Sequence, residues 1–203
     1  EKHGHVMFNG GGGMEHQTMS SMSTLDFDLM AHELGHQWFG NKITCATWQD
    51  LWLNEGWATY TNALGREFVR GKESFLEFVV ESMSRSTRNN DGSVYAYDTT
   101  DTRVLLNGDK RYRKGAMVLH QLRWEVGDSA FFAGTRNYMA DAELCYGFAH
   151  TIDFQEAIEA ASGQDLTGFF DRYVYQEGFP EIVTRWNRVG DDKLKLDLTQ
   201  TTS

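Results

Sequence analysis

His32, Glu33 and His36 fall within the pentapeptide HELGH. On a helix that spacing puts both imidazoles on one face, within reach of a single cation. Glu33, beside the first histidine, is placed to take a proton from a water held by that cation, which makes it a general base rather than a ligand. Glu55, in WLNEGWATY, falls one short connection later on the next expected helix and supplies a carboxylate as third ligand. Two imidazoles and one carboxylate leave a coordination position open, the pattern of a catalytic zinc, whereas structural zinc is closed by four ligands rich in cysteine. The same donor set could hold iron(II) in an oxygenase, but the helical His-Glu-x-x-His arrangement favours zinc and hydrolysis. The pentapeptide alone could be a surface helix carrying two histidines; Glu55 tells against that.

These residues need helices to position them, and the sequence supplies helical patterns through most of its length. Thr24 is a candidate N-cap for a helix over 25–39, with Asp26 and Asp28 in its first turn, where the helix dipole favours acids, and Gly40 as the stop. Helical periodicity continues over 50–69, with Gly56 tolerated inside it, and over 73–86. Residues 88–109, rich in Asn, Asp, Gly and Thr, read as a long surface loop. Helices resume over 111–126, 129–142, 153–162 and 165–176. Gly178 and Pro180 then break the pattern, and 181–189 with 193–200 form an expected hairpin about the turn at 190–192. Near the start, the four glycines at 10–13 read as a linker, or as a strand edge open to a ligand, before a polar strand at 14–22. The fold class is mainly α, within α+β. A lone hairpin is marginal in water, so the last strands are expected to continue into a further sheet.

The 203 residues, 40% hydrophobic and 24% charged, are enough for one sizeable core. A net charge of -10 with no basic run excludes a nucleic-acid partner. No apolar stretch approaches the roughly 20 residues that span a bilayer. Cys45 and Cys145 make neither a disulfide framework nor a CxxC pair and are expected to be small buried residues. The chain opens without an initiating Met or a signal-peptide layout. A piece of a longer protein is therefore expected, its compartment not encoded at this end; an exported bacterial parent, periplasmic or secreted, is a guess.

Taken together, HELGHQWFGNKIT and TWQDLWLNEGWATY, with eighteen residues between His36 and Glu55, resemble the gluzincin zinc aminopeptidases of the aminopeptidase N and leukotriene hydrolase type. GGMEH at 12–16 resembles that family's exopeptidase motif, which implies that Glu15 binds the substrate's free α-amino group, with Gly12, Gly13 and Met14 along the same wall. YRKGAMVL at 112–119 resembles its Tyr-x-Lys-Gly segment, which implies Tyr112 as oxyanion stabiliser. The chain departs from the family at Gly13, usually alanine, at His16, usually asparagine, and at Asn62, where an acid commonly stands near a zinc-binding histidine. The first two bear on side-chain preference; an amide at 62 would raise imidazole basicity less than a carboxylate.

The resemblance implies a thermolysin-like zincin catalytic domain over 1–180, truncated at its N-terminus but keeping a strand remnant, and the start of a β-sandwich over 181–203. It also implies one zinc per chain, peptide substrates with a free N-terminus, and further domains of the parent chain as partners. The expected reaction is removal of N-terminal residues by zinc-activated water, with Glu33 as base. The alternatives are a zinc-binding but inert fragment or scaffold, and a zincin acting as an epoxide hydrolase or endopeptidase. Glu15 argues against internal cleavage. His3, His5, His120 and His150 lie outside any ligand spacing, Trp48, Trp52 and Trp57 are expected in the core, and Asn54 either supports the third ligand or starts a helix.

Overall fold

The structure, a computed structural model, describes residues 2–88 and 91–202. In chain order the elements are β1 (Gly4–Met7), β2 (Gly13–Met14), β3 (Met19–Met22), α1 (Phe27–Gly35), β4 (Ile43–Cys45), α2 (Trp52–Arg70) and α3 (Lys72–Ser86). They continue with α4 (Thr102–Leu105), α5 (Gly115–Ala140), β5 (Gly147–Ala149), α6 (Thr151–Ser162), α7 (Thr167–Phe170), β6 (Pro180–Val189) and β7 (Lys193–Thr202). A 3₁₀ turn (Trp48–Asp50) leads into α2, and π-helical turns occupy Gly108–Lys114, just before α5, and Asp171–Tyr175, just after α7.

The body is built on α2. Every residue from Trp52 to Tyr60 is buried, which marks a helix enclosed on all sides. α1, α3 and α5 pack on it, and α6 backs α5. At its heart the Trp57 ring stacks on Phe39 at 4.2 Å and on Phe131 at 5.5 Å, and meets Phe154 edge-on at 5.6 Å. Truncating such a residue to alanine costs about 3–5 kcal/mol. The start of α2 is tied to the start of α6 by buried Asp50, which accepts hydrogen bonds from Thr151 N at 2.9 Å and Thr151 Oγ1 at 2.7 Å. His150 and Thr47 complete that network, which is structural. β4 and β5 pair in parallel beside it.

Before α1, the strand expected at 14–22 is divided: β2 turns back into β3, and the GHVM segment adds β1, giving the order β1-β3-β2. The polar GHVM segment has no alternation to advertise it. α1 is capped by Asp26, whose Oδ1 accepts from Leu29 N, and Thr24 instead donates to the Asp26 carboxylate. The N-cap therefore sits two residues later than the sequence suggested, because the carboxylate is the stronger acceptor for an orphan N–H. α1 ends at Gly35 rather than at Phe39, and the following residues form turns up to Gly40, whose φ is 137°.

The long segment before α5 holds the short helix α4, capped by Asp101; residues 89–90 of that expected loop lie outside the described residues. The two helices expected over 111–142 are joined into α5 with a kink at Gly127, whose φ is 79°. Trp48 is 62% exposed and so is not a core residue, unlike Trp52 and Trp57. Cys45 and Cys145 are only partly buried. β6 and β7 form the expected hairpin, with Trp186 opposite Leu196 and Thr184 opposite Leu198. No helix among the described residues is long and apolar enough to cross a membrane.

Candidate metal centre

α1 and α2 cross so that His32 and His36 face Glu55. The Nε2 atoms of the two histidines are 3.1 Å apart, and Glu55 Oε2 is 3.4 Å from the first and 3.3 Å from the second. Ligands about 2.0–2.1 Å from a tetrahedral zinc are separated by roughly 3.3 Å. The triangle therefore has the edges of one face of such a tetrahedron. Glu55 Oε2 is buried and has no hydrogen-bond partner among the described residues, the state of a donor atom aimed at a cation. His36 Nδ1 donates to the Phe39 carbonyl at 3.0 Å, which leaves the Nε2 lone pair facing the centre. These residues fit zinc.

The electrostatics agree. Burial opposes charge on His36, but Glu55 overcomes it and lifts the imidazole to about 9. Burial likewise pushes Glu55 up, and the two histidines reverse this and pull it to about 2. Burial holds His32 below the ordinary histidine range against the pull of Glu55. The cavity demands positive charge at its middle, and a divalent cation meets that demand while displacing protons.

Around this centre lies a cleft of about 770 Å³ lined by Gly12, Gly13, Met14 and Glu15 on one side and by Tyr112 on another. The carboxylates of Glu15 and Glu33 both come within 4.8 Å of the His36 ring nitrogen. Glu33 is 3% exposed and its Oε2 has no partner among the described residues. Burial raises its carboxyl to about 7, with His36 opposing and the neighbouring Glu15 and Glu55 adding to the rise. The Tyr112 ring lies parallel to His32 at 5.9 Å, and burial, then the Glu55 charge, push its hydroxyl far above the ordinary phenol range. The π-helical turn carrying Tyr112 packs against α2 where Gly56 meets Gly115. A β-carbon on Gly56 would lie 3.2 Å from Gly115 Cα and 3.3 Å from the Arg111 carbonyl.

Three positioning residues carried no signal of their own in the sequence. The Glu15 carbonyl accepts from Asn41 Nδ2 at 2.7 Å and from Gln37 Nε2 at 3.4 Å, so the turn after α1 holds the end of β2. Thr59 Oγ1 lies 3.5 Å from His32 Nδ1. Asn62 is buried and lines the cleft, and its Oδ1 has no partner among the described residues. Asn54 Oδ1 accepts from Cys45 N at 3.0 Å, which fastens β4 to α2 beside Glu55. The excluded histidines stay outside: His120 bonds Tyr60 and Trp124, His3 bonds Ser20, and His150 bonds Asp50.

The model of the peptidase family M1 domain matches residues 13–173. Aminopeptidase N of Lactococcus lactis subsp. lactis is 31% identical over 180 residues, spanning 85% of this chain and 21% of that protein. The chain thus spans about a fifth of the length of this curated relative. The M1 zinc metallopeptidase of Deinococcus radiodurans superposes with a TM-score of 0.74 at 24% identity, over 85% of this chain and 39% of that one. Aminopeptidase A of Legionella pneumophila, solved with aspartic acid, gives 0.78 at 21% identity over 96% and 24%. Those two likenesses show the fold.

Proposed function

The chain belongs to peptidase family M1, and from that premise we propose that it is the zinc-bearing part of an aminopeptidase that removes N-terminal residues from peptides. The observation that carries this reading is the convergence of His32, His36 and Glu55 on one point, with the buried carboxylate of Glu33 beside it. His32, His36 and Glu55 hold one zinc per chain. When bound, zinc supplies a Lewis acid that polarises the scissile carbonyl and eases deprotonation of the attacking water. Glu33, its carboxyl near 7, takes that proton and returns it to the leaving amine. Tyr112, held protonated by burial, donates its hydroxyl to the developing oxyanion. Glu15 pairs with the substrate's α-ammonium, and its nearness to Glu33 makes the first peptide bond the one cleaved. Gly12, Gly13 and Met14 form the wall along the first residue.

In this reading residues 1–180 are the thermolysin-like catalytic body and 181–203 open a β-sandwich. The hairpin supports that division: Ile182, Trp186, Leu194, Leu196 and Leu198 share one face and are exposed, a half-built core that further domains of a longer protein would cover. A second reading is zinc bound without turnover; the chain spans about a fifth of that relative, so turnover by the chain alone is what the test must read.

Zinc content measured together with hydrolysis of aminoacyl fluorogenic amides, for this chain and its Glu33→Ala variant, separates the readings. One zinc per chain with turnover that the variant loses supports the aminopeptidase. Zinc without turnover supports the second reading, and absence of zinc overturns both.

A further inference from the structure

Arg111 is 4% exposed, and among the described residues its guanidinium makes one hydrogen bond, from Nη1 to the Ser93 carbonyl at 3.2 Å. Its Nε is buried without a partner, and it forms no ion pair with any described residue. A guanidinium carries five N–H donors and does not shed its proton at physiological pH. Burying one without a counter-charge is strongly unfavourable. The neighbouring cations are treated differently: Arg103 lies 2.8 Å from Asp101, Arg85 lies 3.1 Å from Glu81, and Lys110 lies 3.9 Å from Asp91. In a chain with ten more acidic than basic residues, a carboxylate has reached each of these and not Arg111.

Arg111 also lines a cavity. It borders a space of about 440 Å³ with Arg85, Arg103 and Lys110, and with the carboxylates Asp91, Asp101 and Asp109. Gly92, on the same rim, accepts from Lys114 Nζ at 3.3 Å, which brings a further cation close by. Burial depresses the affinity of both Arg111 and Lys114 for their protons, and at Lys114 the nearby Lys110 and Arg111 add to the effect while Glu177 opposes it. Asp101 lies against the exposed Arg103 and Asp91 against Lys110, so the buried Arg111 guanidinium is the charge that a bound anion would relieve.

We propose that this cavity is an anion site, anchored by the unpaired Arg111 guanidinium and taking a group of halide or carboxylate size. A halide would come from solvent. A carboxylate could come from a peptide, because Arg85 and Asp109 border both this cavity and the metal cleft; that second source rests on the aminopeptidase reading, whereas the site itself does not. Arg111 precedes Tyr112 on the same π-helical turn, so an occupant fixing the guanidinium also fixes the backbone that presents the Tyr112 hydroxyl.

The test is thermal unfolding of the chain titrated with sodium bromide, at constant ionic strength set by sodium isethionate. Wild type is expected to show a saturable rise in midpoint with bromide. Arg111→Met is expected to lose that rise, while unfolding at a higher midpoint than wild type in isethionate alone because the buried charge is gone; Arg111→Lys keeps part of the response. Bromide-soaked crystals should show an anomalous peak against the Arg111 guanidinium. To separate the sources, binding of a tripeptide acid is compared with that of its C-terminal amide. Binding of the acid about tenfold tighter, only where Arg111 is intact, assigns the site to a peptide carboxylate; equal binding with the bromide response kept assigns it to a solvent anion. A midpoint that rises equally in Arg111→Met, or not at all in wild type, overturns the site. Loss of hydrolysis alone leaves it standing.

Discussion

Gly13 and Glu33 occupy each other's space: a β-carbon on Gly13 would fall on the Glu33 carboxylate and lie 2.7 Å from its Cγ. With no side chain at Gly13, the strand that precedes Glu15 runs close against the Glu33 side chain of α1. Gly13→Ala, which restores the residue usual in the resembling family, is expected to displace the carboxylate and lower kcat/KM by more than about tenfold, or 1.4 kcal/mol. Zinc content should be unchanged. Full kcat/KM in that variant would mean that Glu33 relaxes freely and that the contact is incidental.

Chelation of the metal should destabilise the fold as well as silence it, because the three ligands join α1 to α2. With zinc at about a thousand times its dissociation constant the stabilisation is about 4 kcal/mol. Denaturant midpoints with and without chelator read this directly. Glu55→Gln should show no difference between the two conditions; a chelator effect equal to that of wild type would remove Glu55 from the ligand set.

Tyr112→Phe removes one hydroxyl from the cleft wall and nothing from the zinc triangle. A fall in kcat of about 10²–10³ with KM nearly constant is expected, as for loss of a single oxyanion donor. Steady-state kinetics on an aminoacyl amide decide it, and unchanged kcat excludes the tyrosine from the reaction.

Glu15→Ala should act on KM. The α-ammonium loses its carboxylate, so substrates with a free amine bind more weakly, by about tenfold or more for a charge-assisted hydrogen bond, while zinc content stays at one per chain. Equal KM for wild type and variant would place the amine elsewhere.

Lys114 gives stability a pH dependence of defined sign. In the fold its ammonium is pushed down to about 8, first by burial and then by Lys110 and Arg111, against the pull of Glu177. An unfolded lysine titrates near about 10.4. Between those values the unfolded chain holds a proton that the folded chain has released, so stability rises with pH across that window and is flat below it. Lys114→Met should abolish a rise of about 1–2 kcal/mol, a figure reduced for partial solvent screening. Parallel stability curves for the two proteins above pH 8 would refute this.

The grouping of His32, His36 and Glu55, and the helices that carry them, were legible in the sequence because their signals are local. The four-residue interval of His32 and His36 needs only one helix turn, and α2 declares itself by its apolar period. What escaped depends on contacts between distant segments. Asn41 and Gln37 reach back to the Glu15 carbonyl across the turn after α1, and nothing in their own neighbourhood marks that reach. The outer nitrogen of His32 faces Thr59, a hydroxyl one helix turn beyond Glu55 whose part shows only once α1 and α2 are packed. Trp48 was misread because a single aromatic in a 3₁₀ turn has no period to reveal which side it faces. Arg111 carried no signal in the sequence, because its burial without a counter-charge exists only in the fold.

Gly56 and Gly115 bring main chain against main chain between the helix that bears Glu55 and the turn that bears Tyr112. At that contact backbone meets backbone, so the spacing of Glu55 and Tyr112 there does not depend on a rotamer. Amino-acid drift elsewhere in the core can repack the body without retuning this dimension, whereas one added methyl group at either glycine widens the active site as a wedge would. The gauge of the proposed site is thus set in part by two absent side chains.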